Sequence, residues 1–157
     1  MTGNAEDIWK AAKSIRTAML VTRSGEQLVS RPMAAIVRED EGVIWFLTDR
    51  DSGKLDDIAV HPQVAVSFCE GSTHVAFSGV ASIHHDRETI KDLWSTAAQA
   101  WYPKGPDDPL VLALRVDPAE AELWDGPGTI VSLVKMAAAV ATGSSVRDGG
   151  EHVKTRV

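Results

Sequence analysis

The sequence predicts a mainly β fold: a small antiparallel barrel or sandwich of six or seven short strands, with helices inserted at its periphery. Apolar runs of strand length recur along the chain, each ended by a Gly, Pro, Ser or Asp turn signal. Helical periodicity appears in separate stretches and never alternates regularly with the strands, which excludes a doubly wound parallel sheet. The 157 residues, 44% of them apolar, suffice for one domain with a real core.

From Ala5 to Arg16, Ile8, Ala11, Ala12 and Ile15 recur at helical spacing among Lys10, Lys13 and Arg16, an amphipathic helix. The period then changes to that of strands. Ala18–Thr22 is an apolar run stopped at Ser24-Gly25; Gln27–Val37 resumes and ends at Glu39-Asp40-Glu41-Gly42; Val43–Thr48 follows. These three read as an antiparallel meander. A helix carries Leu55, Ile58 and Ala59 on one face and stops at His61-Pro62. Val64–Phe68 and Val75–Ile83 are strands joined across Gly71-Ser72, and Ile90, Leu93, Trp94 and Ala97 mark one helix over Asp86–Ala98. After the proline-rich loop at Pro103–Pro109, Leu110–Val116 and Ala121–Trp124 read as two strands broken at Asp117-Pro118. A last helix follows Gly126-Pro127-Gly128 and reaches Thr142. Residues 1–142 are therefore expected as a single domain. The Ser/Gly/charge-rich remainder, 143–157, is expected as a flexible tail.

Sixteen Lys and Arg against twenty-two Asp and Glu leave a net charge of −6, which argues against a general nucleic-acid or anionic-membrane binder. No apolar run is long enough to span a bilayer, and the opening residues lack the pattern of a secretory leader. Cys69 is the single cysteine, so no intrachain disulfide is possible and a reducing cytoplasm is the expected location.

Strand alternation places Arg31 on one face with Val29, Met33, Ala35 and Val37, the lone charge among apolar side chains. A guanidinium there needs an anion, either a surface carboxylate at a sheet margin or a ligand. Pro32 beside it donates no ladder hydrogen bond, so the strand is at an edge or bulged. The third strand leads through Thr48-Asp49-Arg50-Asp51 to a helix start at Ser52-Gly53-Lys54. Free amides of that first turn, the hydroxyls of Ser52 and Thr48 and the Lys54 ammonium suit a phosphate. Equally, Ser52 or Asp51 caps the helix while Lys54 is solvated. The glycine spacing of a nucleotide-triphosphatase phosphate loop is absent.

Phe46-Leu47-Thr48 with Ser52-Gly53-Lys54, preceded by Ser30-Arg31-Pro32-Met33, resembles the flavin-binding signature of the pyridoxamine 5′-phosphate oxidase-like split barrels. Trp101–Gly105, Asp107-Asp108-Pro109, Leu112–Val116 and Ala121–Asp125 resemble the bacterial general-stress-protein branch. The resemblance covers Ile8 to Gly126. It implies a split β-barrel homodimer with FMN at the subunit interface. Arg31, Ser52 and Lys54 would hold the phosphate, and Pro32, Met33, Phe46, Leu47 and Thr48 would face the ring and ribityl chain. His74 and Trp124 would add flavin contacts. Sister branches of the family bind deazaflavin, FAD or heme, which remain the alternative cofactors. One departure bears on substrate. Where the oxidases follow the last Trp with an Arg- and His-containing cluster, this chain has Gly126–Leu133 with neither, so vitamin B6 oxidation is not expected.

The remaining polar residues form no competing centre. His61, His74, His84, His85 and His152 show no metal-binding spacing, so no metal is expected. Cys69 beside Phe68 reads as a small packing residue, Asp107-Asp108 as a solvated turn, and no hydrolase triad order appears. Of the five tryptophans, Trp9 and Trp94 sit on helix faces, Trp45 points away from Phe46, and Trp101 and Trp124 fall in the family-like stretches. The expected function is an FMN-dependent oxidoreductase acting on a small organic molecule, with a non-catalytic flavin-binding stress protein as the alternative; no residue is assigned as catalytic.

Overall fold

In the computed structural model, which describes residues 4–145 and 150–157, Thr17–Ser24 (β1) and Gln27–Ala34 (β2) form a hairpin. Gly25, at φ +60°, opens its two-residue turn and fixes the register that sets Leu20 opposite Arg31. Ile36–Arg38 (β3) and Val43–Asp49 (β4) make a second hairpin. Gln63–Glu70 (β5), Thr73–His84 (β6) and Val111–Asp125 (β7) complete an antiparallel sheet whose order is β2-β1-β5-β6-β7-β4-β3. The expected front meander is thus two hairpins at opposite ends of one sheet. Those ends, β2 and β3, are consecutive in the chain and separated by Ala35 alone, whose N–H donates to the Arg16 carbonyl at 2.8 Å. The chain itself closes the sheet into a barrel there, and the ladder is split at that seam. Pro32 lies in β2, at the end of the sheet path, where its missing N–H costs nothing.

The helices are Ala5–Ile15 (α1), Gly53–Val60 (α2), Arg87–Leu93 (α3), Thr96–Trp101 (α4) and Thr129–Thr142 (α5). Asn4 and Asp7 form a capping box at the start of α1, which sets Ile8, Trp9 and Ala12 into the barrel core. Trp9 meets Phe77 with ring centroids 4.9 Å apart. The single helix expected over Asp86–Ala98 is two, because Ser95 accepts from the Ala98 N–H at 3.1 Å and so caps a new start. Alternation along β4 divides its side chains. Ile44 and Phe46 enter the barrel core; Val43 and Trp45 face outward into a second cluster with Ile90 and Leu93 of α3. Full burial of Phe46, Phe68 and Phe77 contributes about 1.5–3 kcal/mol each by apolar transfer.

Two further expectations are corrected. The strands expected on either side of Asp117-Pro118 are one, β7, which passes a bulge where Pro118 stands opposite Gly79. A Cβ on Gly79 would lie 2.2 Å from the Asp117 carbonyl oxygen, so only glycine admits that close approach. The segment 143–157, expected as a flexible tail, contains Glu151–Arg156 (β8), which pairs antiparallel with β7 from Glu120 to Asp125. β4 occupies the same edge of β7 before the bulge, from Val111 to Val116. Val153 and Val157 pack against the barrel core, and that apolar alternation is what holds the segment. No helix among the described residues is long and apolar enough to cross a membrane.

Candidate functional site

Arg31 shares the inner face of the sheet with its fully buried cross-strand partner Leu20. Its Nη2 donates to the hydroxyl of Thr22, 1% exposed, at 2.9 Å, and Nη1 makes a longer contact of 3.5 Å to the Leu20 carbonyl. Both partners are neutral. Helix α2 leaves β4 through a short turn and packs against β1 and β6, which brings Lys54 to the same place. Ser52 is the N-cap residue of α2, yet its side chain makes no capping bond; it accepts instead from the Lys54 Nζ at 2.5 Å. Burial, and then the Arg31 charge, lower the Lys54 pKa, with Asp49 opposing more weakly. Among the described residues no carboxylate comes within 4.0 Å of either cation, although eight other pairs do meet that distance. Two half-buried cations with neutral support and no acid between them make a cradle for an anion.

Pro32, Met33 and Leu47 lie together on the wall of a cavity of ≈ 520 Å³ between the seam and α4. Tyr102, which follows α4, donates its hydroxyl to the Leu47 carbonyl at 3.2 Å and so fixes helix to strand; burial and then the Asp49 charge raise the Tyr102 pKa. Phe46 and Thr48 occupy the opposite face of β4, 0% and 2% exposed. The Phe46 ring is committed to the core, so its backbone is the part left to a ligand.

His74 and Trp124 are placed elsewhere. They are direct cross-strand partners on β6 and β7, and both are exposed, whereas their neighbours Val75 and Leu123 point into the core. Trp124 stacks on His152 of β8, with ring centroids 5.0 Å apart and planes 8° from parallel. Within one chain this outer patch and the inward Arg31 are on opposite faces of the sheet, so the fold does not unite them.

Thr22, Trp101, Tyr102 and His152 are absent from the site residues expected on sequence. Thr22 was open to detection: it alternates with Ala18 and Leu20, and the Gly25 turn makes it the diagonal neighbour of Arg31. The position of His152 depends on β8, whose residues other than Val153 are polar or charged and so resemble a solvated segment.

A split antiparallel barrel with an anion cradle at the β2–α2 corner defines the class. Residues 3–147 match the family model described as pyridoxamine 5′-phosphate oxidase like, and the chain belongs to that family. Protein bli-3 of Neurospora crassa is 30% identical over 151 residues, covering 87% of this chain and 72% of that protein. A general stress FMN/FAD binding protein from Xanthomonas citri superposes with a TM-score of 0.71 at 31% identity, covering 80% of this chain and 90% of that one. A general stress protein 26 candidate from Jannaschia sp. CCS1 gives 0.74 at 26% identity, with 96% of each chain covered.

Proposed function

We propose that this protein binds FMN and serves as an oxidoreductase toward a small organic molecule. The observation that carries the reading is the convergence of Arg31 and Lys54 without a carboxylate partner among the described residues. Arg31, held by Thr22, offers a fixed fork to the phosphate; Lys54 offers a mobile ammonium and Ser52 a hydroxyl. Gly53 has nothing within 4 Å of where its Cβ would be, which leaves room at the start of α2. Pro32, Met33 and Leu47 would border the ring. Bound FMN supplies hydride and single-electron chemistry that no constellation of side chains here provides.

A homodimer with the flavin at the subunit interface accounts for the placement of His74 and Trp124. The Trp124 indole is 39% exposed and faces away from its own Arg31, which supports that reading. The apolar side chains that α5 leaves exposed, Leu133, Val134 and Val140, also suit association. Light scattering across a protein dilution series tests the dimer, and a monomer at all concentrations counts against it.

The deciding experiment is titration of the flavin-free protein with FMN, followed by rapid-mixing reduction of the loaded protein with NADH or NADPH. Tight FMN binding with reduction faster than that of free FMN supports an oxidoreductase. Binding with no acceleration leaves a flavin carrier, and absence of binding overturns the reading. Pyridoxamine phosphate turnover is not expected, because the Trp124-Asp125-Gly126-Pro127-Gly128 exit and α5 supply no cation before Lys135.

A further inference from the structure

Trp124 of β7 has His74 of β6 as its partner on one side and His152 of β8 on the other. All three are exposed on the outer face of the sheet. An aromatic side chain on an open strand face ordinarily moves among staggered rotamers. Here the ring is held. The His152 imidazole covers one face of the indole, with centroids 5.0 Å apart and planes 8° from parallel. The imidazole is anchored in its turn, its Nε2 lying 3.2 Å from Glu122 Oε2. Glu122 and Lys154 are the next cross-strand pair on that face, and the Lys154 Nζ lies 2.9 Å from Glu122 Oε1. The bond from Lys154, and then that from His152, lower the Glu122 pKa and keep it a carboxylate. None of these polar contacts is what attaches β8 to the barrel. Val153 and Val157, alternating onto the other face, pack against the core and do that.

We infer that His152 is a positioning residue for the flavin: stacked on Trp124 and anchored by Glu122, it fixes the indole in the orientation in which the flavin of a second copy meets it. The inference rests on the flavin reading and deepens it, because it makes β8 part of the site. An indole whose rotamer is already set loses little freedom when a ligand ring arrives, so more of the contact appears as affinity. The effect of His152 is on the ring of the ligand and is independent of the phosphate, which is left to Arg31, Ser52 and Lys54.

FMN and riboflavin are titrated by flavin fluorescence quenching into the full-length wild type, His152→Ala, His152→Phe, Trp124→Ala and the double variant Trp124→Ala with His152→Ala. His152→Ala is expected to weaken both ligands by the same factor, about two- to ten-fold, the range of ordering one side chain. Its melting temperature should match the wild type, because Val153 and Val157 still hold the strand. His152→Phe keeps a ring to stack and should bind both ligands nearly as the wild type does. On the Trp124→Ala background, losing His152 should have no further effect. Should His152→Ala also lower the melting temperature, that comparison still separates positioning from support of the fold. Unchanged riboflavin affinity in His152→Ala overturns the inference, as does an equal loss with and without Trp124. A loss confined to FMN also overturns it, since His152 would then act on the phosphate. Wild-type protein that binds neither ligand sinks the flavin reading and this inference together; wild-type binding that His152→Ala leaves intact sinks this inference alone.

Discussion

Burial, and then the neighbouring Arg31 guanidinium, lower the pKa of the Lys54 ammonium, and no carboxylate among the described residues comes within 4.0 Å of either group. Like charges held together in a partly buried corner oppose folding unless something of opposite sign joins them. The corner is left open to an anion because its hydrogen-bonding support is neutral: a threonine hydroxyl, a serine hydroxyl and a backbone carbonyl.

Removing either cation should therefore act on the phosphate and spare the ring. Arg31→Ala and Lys54→Ala are each expected to weaken FMN by about ten- to hundred-fold, the range of a charge-assisted hydrogen bond, with riboflavin affected little. Flavin fluorescence quenching with both ligands measures this, and parallel losses for the two would contradict phosphate contact.

Lys54 also predicts a pH dependence. Its folded-state pKa is below the 10.5 of a free lysine, so the folded chain releases this proton more readily than the unfolded one. In the flavin-free protein the charged form costs stability at neutral pH, a cost relieved as pH rises through the lowered pKa toward 10.5. Lys54→Met should accordingly raise the melting temperature of the flavin-free protein while weakening FMN. The preference of the wild type for FMN over riboflavin should fall on the alkaline side, before the ordinary lysine range. A preference that is flat up to pH 10.5 would show that Lys54 does not contact the phosphate.

Gly79 is a test of the β6–β7 bulge. Gly79→Ala must displace the Asp117 carbonyl and the Pro118 Cα, which are 2.2 and 2.7 Å from the added methyl, and is expected to cost about 1–3 kcal/mol in urea unfolding. Gly53→Ala meets nothing within 4 Å and should unfold like the wild type. Similar midpoints for the two variants would mean that the bulge relaxes freely.

Ending the chain at Ser145 removes β8. Loss of its ladder with β7 and of Val153 and Val157 from the edge of the core should lower stability by about 1–3 kcal/mol. Thermal unfolding followed by circular dichroism measures it, and an unshifted midpoint would make β8 a dispensable appendage.

What the sequence determined by itself was local. Period-two alternation identified the strands and put Arg31 on an inner face, and the polar turn after Thr48 announced a helix start at Ser52. Its motifs pointed to the split-barrel family that residues 3–147 match. Pairing was not legible in the same way. That β2 and β3 lie at opposite ends of the sheet, that β7 runs unbroken through Pro118 and that β8 joins it all depend on partners remote in sequence. A proline reads as a break until a glycine is found across from it. Ser52 likewise reads as a cap until Lys54 claims its hydroxyl, and that Trp124 and Arg31 face opposite sides of one sheet within a chain is decided by the pairing alone. Alternation fixes which side chains share a strand face; only the closure of the barrel decides which of those faces meet.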